Sequence, residues 1–138
     1  MEYVLDSSVI VKWFSFEEEE YVDKAAVILE LYKENKIDIL IPELVIYEVS
    51  NALRYNKNFS SNEVREIIKY LVNLELNTIN LNSHIIDEAI KYAYGNKITV
   101  YDAIFLVLSN VFKIPLVSAN PKHHKITEGR NIVLLKDF

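Results

Sequence analysis

Short apolar runs alternate with longer amphipathic segments along the whole chain. The apolar runs are Tyr3–Leu5, Ile37–Ile41, Leu76–Leu81, Pro115–Ser118 and Ile132–Leu135. Their length and apolar content predict buried strands, whereas the intervening segments repeat apolar residues at helical spacing. No hairpin turn pair such as Asn-Gly joins two runs. This alternation predicts an α/β fold, a three-layer α/β/α sandwich with a central parallel sheet of about five strands.

Polar residues mark where the predicted helices begin and end. The acidic run 17–20 predicts the first turn of a helix that reaches Tyr32, because acids there oppose the helix dipole favourably. Ser60 and Glu63 form a capping-box pattern at the start of another helix. Pro42 closes the second strand and also suits the first turn of the next helix. The remaining signals are a cap at Ser7 or Ser8, caps at Ser83 and Thr99, and a helix end at Gly95.

Composition limits the class of protein. The chain has 138 residues, a net charge of −5, no cysteine and two glycines. This length predicts a single domain over residues 1–138. The lack of cysteine excludes disulfides, cysteine-ligated metals and cysteine nucleophiles, and two glycines are too few for a Gly-rich phosphate loop. The longest uncharged apolar stretch, Ala103–Phe112, is too short to span a bilayer, so we expect a cytoplasmic protein with no membrane partner.

Three carboxylates stand where apolar or small residues are expected. Asp6 follows the first strand, Glu48 lies among apolar residues of a helix, and Asp102 opens the most apolar helix of the chain. Ligands of open α/β sheets bind beyond the carboxyl ends of the strands. If the three acids converge there, they raise one another's pKa unless a cation neutralises them. Carboxylates without cysteine or histidine favour Mg²⁺ or Mn²⁺ and phosphate chemistry.

Each of these acids also has a purely structural interpretation. Asp6 is a good helix cap or turn residue. Glu48 belongs to a solvated helix stripe if it shares exposure with Asn51 and Tyr55. Asp102 follows Thr99 at the spacing of a capping box. The sequence alone leaves both interpretations open for all three acids.

Four ordered motifs resemble those of the PIN-domain family. They are Val4–Ser8, Tyr47–Leu53, Val100–Ile104 and Leu116–Asn120, and together they span nearly the whole chain. Within that family the pattern is similar to VapC-type toxins of toxin–antitoxin pairs. The resemblance implies the same α/β/α fold, a Mg²⁺- or Mn²⁺-dependent endoribonuclease that hydrolyses RNA, a homodimer, and inhibition by a cognate VapB-type antitoxin.

The resemblance also implies roles for individual residues. Asp6, Glu48 and Asp102 become metal-binding and catalytic acids, and Ser7 supports the metal site. Ser118 matches a small hydroxyl residue that the family tends to have. Further along the same loop, Asn120 stands where the family usually has another acid. The residues assigned to the site are therefore Asp6, Ser7, Glu48, Asn51, Asp102, Ser118 and Asn120.

Two of these assignments leave alternatives open. An Asn120 carbonyl can still bind a metal, but it adds no charge, so a second ion would be held more weakly. The competing hypothesis is therefore a PIN-like module that has lost activity and serves in binding. Asn51, one helical turn after Glu48, either orients ligands or is an ordinary solvated position.

Basic residues suggest where RNA would lie. Lys122, Lys125 and Arg130 follow Asn120 in the densest basic segment of the chain, and they either bind phosphate or form a solvated loop. The more dispersed cations that could extend this surface are Lys12, Arg54 and Lys57. We also expect some exposure among Trp13, Phe14 and Phe16, as a contact for the second copy or the antitoxin.

Overall fold

A five-stranded parallel sheet forms the centre of the molecule. The computed structural model describes residues 1–17, 19–120 and 131–138. The strands run in the order β3-β2-β1-β4-β5, and every neighbouring pair is parallel. They are β1 Glu2–Leu5, β2 Asp38–Pro42, β3 Asn77–Ile79, β4 Leu116–Ser118 and β5 Ile132–Leu134. The prediction of a parallel sheet of about five strands is confirmed.

Six α-helices flank this sheet in the described part of the chain. They are α1 Ser7–Ile10, α2 Val22–Lys33, α3 Leu44–Arg54, α4 Ser61–Asn73, α5 Ser83–Asn96 and α6 Val100–Phe112. Single turns of 3₁₀-helix follow α1 at Val11–Trp13 and β5 at Leu135–Asp137. The predicted α/β/α sandwich is confirmed. None of the helices in the described ranges is long and apolar enough to cross a membrane.

The core is built around β1 and α6. Val4 and Leu5 of β1 and Leu116 and Val117 of β4 are inaccessible to solvent. In α6, every residue from 103 to 109 is buried, as expected for a helix that is apolar around most of its circumference. Because α6 packs against β1, β2 and β4, its position relative to the sheet is fixed by buried apolar surface.

The strand order creates a crevice between β1 and β4. From β1 the chain moves outward through β2 to β3, and it returns on the other side of β1 as β4 and then β5. The point where strand order reverses opens a crevice at the carboxyl ends of the two central strands, and ligands of open α/β sheets bind there. Asp6 follows β1 and Asn120 follows β4, so both residues flank that crevice.

Several predicted element boundaries are wrong, and each has a local cause. The acidic run does not begin a helix, because α2 starts at Val22, after Tyr21 in a left-handed conformation. The predicted end of the second strand at Pro42 is confirmed, but the predicted helical turn at this residue is wrong, because α3 begins at Leu44. Asn82, and not Ser83, caps α5 by accepting from the Ile85 N–H at 2.9 Å.

The end of α5 and the length of the third strand also differ from the prediction. Gly95 lies inside α5, which ends at Asn96 because Lys97 adopts the left-handed cap conformation. The third strand is restricted to Asn77–Ile79, since it lies at the edge of the sheet and pairs only with β2 among the described strands. The capping box of Ser60 and Glu63 and the Thr99 cap are confirmed.

Candidate active site

Asp6 is a buried carboxylate at the carboxyl end of β1, with 5% of its surface exposed. Its backbone N–H donates to the Val117 carbonyl at 3.1 Å, which extends the pairing of β1 with β4 by one residue. One carboxylate oxygen caps α1 by accepting from the Ser8 N–H at 3.1 Å. The expectation that Ser7 or Ser8 caps this helix is therefore wrong. The other oxygen of Asp6 accepts from the Ser118 hydroxyl at 2.7 Å.

Glu48 extends from α3 towards the same crevice and is half-buried. The Ser7 hydroxyl donates to Glu48 Oε1 at 2.8 Å. Burial is the main cause that raises the pKa of Glu48, and the negative charges of Asp6 and Asp102 raise it further, while the Ser7 hydrogen bond opposes the shift. The charges of both other candidate acids therefore act on the Glu48 carboxyl, as expected for acids that lie near one another.

Asp102 occupies the first turn of α6 and is half-buried. The Thr99 hydroxyl accepts from the Asp102 N–H at 3.0 Å and caps the helix. This cap uses the Thr99 hydroxyl and the Asp102 N–H and does not use the Asp102 carboxylate. The charge of that carboxylate contributes to the raised pKa of Glu48. The structural and the functional interpretations of Asp102 are thus compatible.

The loop after β4 is tied to the loop after β1 by two serines. Ser118 is fully buried, and its hydroxyl joins the two loops by donating to Asp6 and accepting from the Asn120 N–H at 2.9 Å. The Ser8 hydroxyl accepts from the Ala119 N–H at 3.1 Å. Ser8 was not predicted to take part in the site. Its signal in the sequence was the second hydroxyl of the Ser7-Ser8 pair, once Asp6 had taken the capping role.

Asn120 is linked to this group by a hydrogen bond, whereas no described contact joins Asn51 to it. Asn120 is half-buried and held beside Asp6 through Ser118. Asn51 is exposed on α3, one turn from Glu48, and Tyr55 is exposed one turn further. The solvated-stripe interpretation therefore describes Asn51 and Tyr55, but it does not describe Glu48.

The donor atoms at this site fit a hard divalent cation. Carboxylate, hydroxyl and amide oxygens are the ligands that Mg²⁺ and Mn²⁺ prefer. Among the residues that the structure describes, no three acids or histidines are grouped closely enough to hold an ion between them. Mg²⁺ does not need such a cage, because it keeps several waters and usually binds through one or two carboxylates.

The basic residues proposed for RNA have different outcomes. Lys122, Lys125 and Arg130 lie outside the described residues. Lys12 does not extend an RNA-binding surface, because it is buried and forms an ion pair with Glu19. Arg54 and Lys57 are exposed.

The aromatic segment after α1 is mostly internal. Trp13 is 7% exposed, and its indole N–H donates to the Ala25 carbonyl at 2.8 Å. Phe14 is half-buried and packs edge-on against Tyr70, with ring centroids 5.9 Å apart. Phe16, with 63% of its surface exposed, is the member of this segment that is available for contact with another molecule.

Comparison with solved structures finds the same fold in toxin–antitoxin systems. A toxin–antitoxin complex from Klebsiella pneumoniae superposes with a TM-score of 0.72 at 15% identity, over 99% of each chain. VapC20 from Mycobacterium tuberculosis, described as a sarcin-ricin loop cleaving toxin, gives 0.71 at 10% identity, over 93% of this chain and 98% of that one. VapBC2 from Rickettsia felis, bound to a DNA fragment from its promoter, gives 0.68 at 14% identity, over 97% and 98%.

Sequence comparison identifies the family. No match was found among curated proteins. The family model of the PIN domain matches residues 3–129, which include all four motifs and every acid of the candidate site. Because this match extends over most of the chain, the protein belongs to the PIN-domain family.

Proposed function

We propose that this protein is a Mg²⁺- or Mn²⁺-dependent endoribonuclease, formed by a single nuclease domain over residues 1–138. The observation that carries the proposal is the electrostatic interaction of Glu48 with two acids from other elements, Asp6 and Asp102, near the crevice between β1 and β4. Asp6 follows β1, Glu48 extends from α3, and Asp102 lies at the start of α6. Such a group of carboxylates suits a cation and a phosphodiester substrate.

The candidates to hold the cation are Asp6, Glu48, Asp102 and the side-chain carbonyl of Asn120. Because no three of the described acids are grouped closely enough to enclose an ion, one or two of these side chains would bind it directly and water would complete its coordination. A divalent ion bound there would supply Lewis acidity and would lower the pKa of water, the nucleophile that hydrolysis of a phosphodiester requires. The chain itself orients the acids. Ser118 holds one oxygen of Asp6 and Ser7 holds one oxygen of Glu48. The Ser7 hydrogen bond favours the charged form of Glu48, because it lowers the pKa of that carboxyl.

The solved neighbours support a role as the toxin of a toxin–antitoxin pair. Several are toxin–antitoxin complexes, and one is described as cleaving the sarcin-ricin loop. We extend this to an RNA substrate, a cognate VapB-type antitoxin, a homodimer and a cytoplasmic location for the present protein. The support for these partners is the common fold together with the four motifs, since the identities are low.

The test is Asp6→Asn assayed for Mn²⁺-stimulated cleavage of RNA. Loss of a carboxylate that binds the ion should lower kcat/KM by at least about 100-fold. The matched control is Asp38→Asn, because Asp38 is exposed at the amino end of β2, at the end of the sheet opposite to Asp6. We expect Asp38→Asn to cleave like the wild type. Equal cleavage by wild type and Asp6→Asn would refute the assignment.

A binding module without catalysis is the competing function, and Asn120 is the observation that favours it. Calorimetric titration with Mn²⁺ separates the two. A nuclease should bind Mn²⁺ in a way that depends on Asp6 and Asp102, whereas an inactive module should show no binding that these acids control. Asn120→Asp adds the missing charge beside Asp6, so it should tighten Mn²⁺ binding in the nuclease.

A further inference from the structure

A basic cleft lies where α3 ends and α4 begins. It has a volume of about 400 Å³. Its lining residues are Arg54, Phe59, Ser60, Ser61, Val64 and Arg65. Segment 54–65 carries three cations and one acid, although the whole chain has a net charge of −5. The cleft is therefore a positively charged region of an acidic protein.

The cations around this cleft lack partners of opposite charge among the described residues. In the part of the chain that the structure describes, no ion pair involves Arg54, Lys57 or Arg65. The acid of the segment, Glu63, is occupied by the capping box, where it accepts from the Ser60 N–H at 2.7 Å. Glu17 contacts the same loop but accepts from Asn58. The arginines consequently retain their charge for an external anion.

An exposed aromatic ring lies beside the cleft. Tyr55 has 76% of its surface exposed, and the Arg54 guanidinium lies 5.6 Å from the centre of its ring. Aromatic rings stack with bases, and arginines bind phosphates and also stack on bases. This combination is typical of surfaces that bind single-stranded nucleic acid without strong sequence preference.

One side of α3 leads from the candidate active site to Tyr55, the C-cap residue, whose ring contacts the guanidinium of the cleft residue Arg54. Glu48, Asn51 and Tyr55 stand at i, i+3 and i+7 and therefore share a side of the helix. The rise of an α-helix places Tyr55 about 10 Å along the axis from Glu48. An extended strand held at the carboxylates can follow this face and reach the Arg54–Tyr55 pair.

We propose that the α3–α4 cleft binds the single-stranded RNA that flanks the cleavage site, with Arg54 and Arg65 on phosphates and Tyr55 stacked on a base. This inference rests on the proposed function, since it extends the same substrate path. An acidic segment of a protein could also pair with the arginines. The exposed Tyr55 ring, on the side of α3 that also carries Glu48, favours RNA, because an acidic peptide needs no stacking surface.

The experiment measures RNA binding by the full chain without divalent ions, so that cleavage plays no part. The probe is a fluorescent single-stranded RNA of about 12 nucleotides, within the range of known single-strand sites. Affinity is followed by anisotropy from about 50 to about 200 mM salt. In Arg54→Gln/Arg65→Gln, we expect affinity to fall about tenfold and the slope of log K against log salt to decrease by about 1.4, since each phosphate contact in a single strand contributes about 0.7.

The aromatic contact requires a second variant. Tyr55→Ala should weaken binding about fivefold or more while leaving the salt slope unchanged, because stacking releases no counterions. The charge-matched control is Lys33→Gln/Lys36→Gln, which removes two exposed cations, one at the end of α2 and one in the connection to β2, at the amino end of the sheet. We expect this control to bind RNA like the wild type.

Two results would overturn the inference. The first is an arginine double variant whose affinity and salt slope equal those of the lysine control. The second is a polyglutamate peptide of equal charge that competes as well as unlabelled RNA, together with an inert Tyr55→Ala, which would assign the cleft to an acidic protein segment. Failure of the proposed function is separate: a wild type that cleaves no RNA with Mn²⁺, but whose RNA binding depends on Arg54 and Arg65, retains the cleft and loses the nuclease.

Discussion

The two ends of the sheet contain unfavourable features of different kinds. At the amino end, the helix-to-strand connections place Asn35, Glu75 and Lys113 in left-handed backbone conformations, at φ of 56°, 55° and 57°, whereas the two other left-handed residues, Tyr21 and Lys97, lie outside these connections. At the carboxyl end, the unfavourable feature is electrostatic: burial and two neighbouring acids raise the pKa of Glu48. The first kind results from ending helices without glycine, and the second results from collecting charges in one crevice.

Buried polar groups also differ between the two ends. Ser109 near the end of α6 donates to the Ile114 carbonyl at 2.6 Å and so closes a turn of the backbone. Ser118 donates instead to a carboxylate, Asp6. Both serines are buried, yet only the second acts on a group that could bind a cation. The comparison suggests that changes at the amino end alter stability alone, whereas changes at the carboxyl end alter stability and activity separately.

The largest effect that tests this contrast is expected from Ser118→Ala. Removing the hydroxyl leaves one oxygen of Asp6 and the Asn120 N–H without this partner. Loss of a group that orients a metal ligand lowers metal affinity or activity about 10- to 100-fold. We expect that loss as a higher KM for Mn²⁺ in the cleavage assay, with a smaller change in kcat at saturating Mn²⁺.

Ser109→Ala provides the matched control at the other end. It removes a buried hydroxyl of similar exposure and should destabilise the fold by about 1–3 kcal/mol, as Ser118→Ala also should. Its KM for Mn²⁺ should stay at the wild-type value. A rise in KM for both variants would mean that loss of stability alone disturbs the site, and the contrast between the two ends would then be wrong.

Glu48→Gln should have a smaller effect, on folding stability, and should stabilise the protein although it removes a candidate site residue. Because the pKa of Glu48 is raised, the folded state binds its proton more tightly than the unfolded state does. Folding stability therefore falls as pH rises from the ordinary value of 4.5 through the raised pKa, and ionised Glu48 destabilises the metal-free protein at neutral pH. Glu48→Gln should unfold at a higher temperature than the wild type at pH 7, and the difference should disappear near pH 4.5.

The control for Glu48 is Glu30→Gln on α2. Glu30 forms an exposed ion pair with Lys33, and such pairs stabilise proteins by about 0–1 kcal/mol, so its loss should leave stability equal or slightly lower. The measurement is thermal unfolding without divalent ions between pH 4 and 8. If Glu48→Gln is destabilised at pH 7, the Ser7 hydrogen bond outweighs burial and charge repulsion, and the carboxyl end is not electrostatically strained.

The sequence predicted the fold better than it predicted local boundaries. Strand and helix alternation depends on periodicity that the whole core enforces, so it identified the sheet correctly. Caps depend on which of several adjacent polar side chains reaches the free N–H groups. Asp6 and Asn82 cap their helices instead of the neighbouring serines. All of these residue types are good N-caps, so the residue type alone does not show which one caps the helix.

The candidate site was predictable in its acids and less so in its hydrogen bonds. Asp6, Glu48 and Asp102 stood out because charge is unusual beside buried apolar residues. The pairing of Ser8 with Ala119 links residues 111 positions apart, and it depends on the register of β1 with β4. The α3–α4 cleft could not be predicted from the sequence either, since Arg54 and Arg65 come together only when α3 and α4 pack against each other.

The smallest effect is expected at the amino end, from Lys113→Gly. Lys113 ends α6 in a left-handed conformation that glycine adopts without steric penalty, so the substitution should stabilise the fold by about 0.5–1 kcal/mol after allowing for the added freedom of the unfolded chain. The control is Lys91→Gly within α5, which should destabilise by about 1 kcal/mol because its backbone is helical. Urea unfolding measures both values. Opposite signs, with RNA cleavage unchanged in Lys113→Gly, would show that strain at this end is conformational and can be removed without affecting the site.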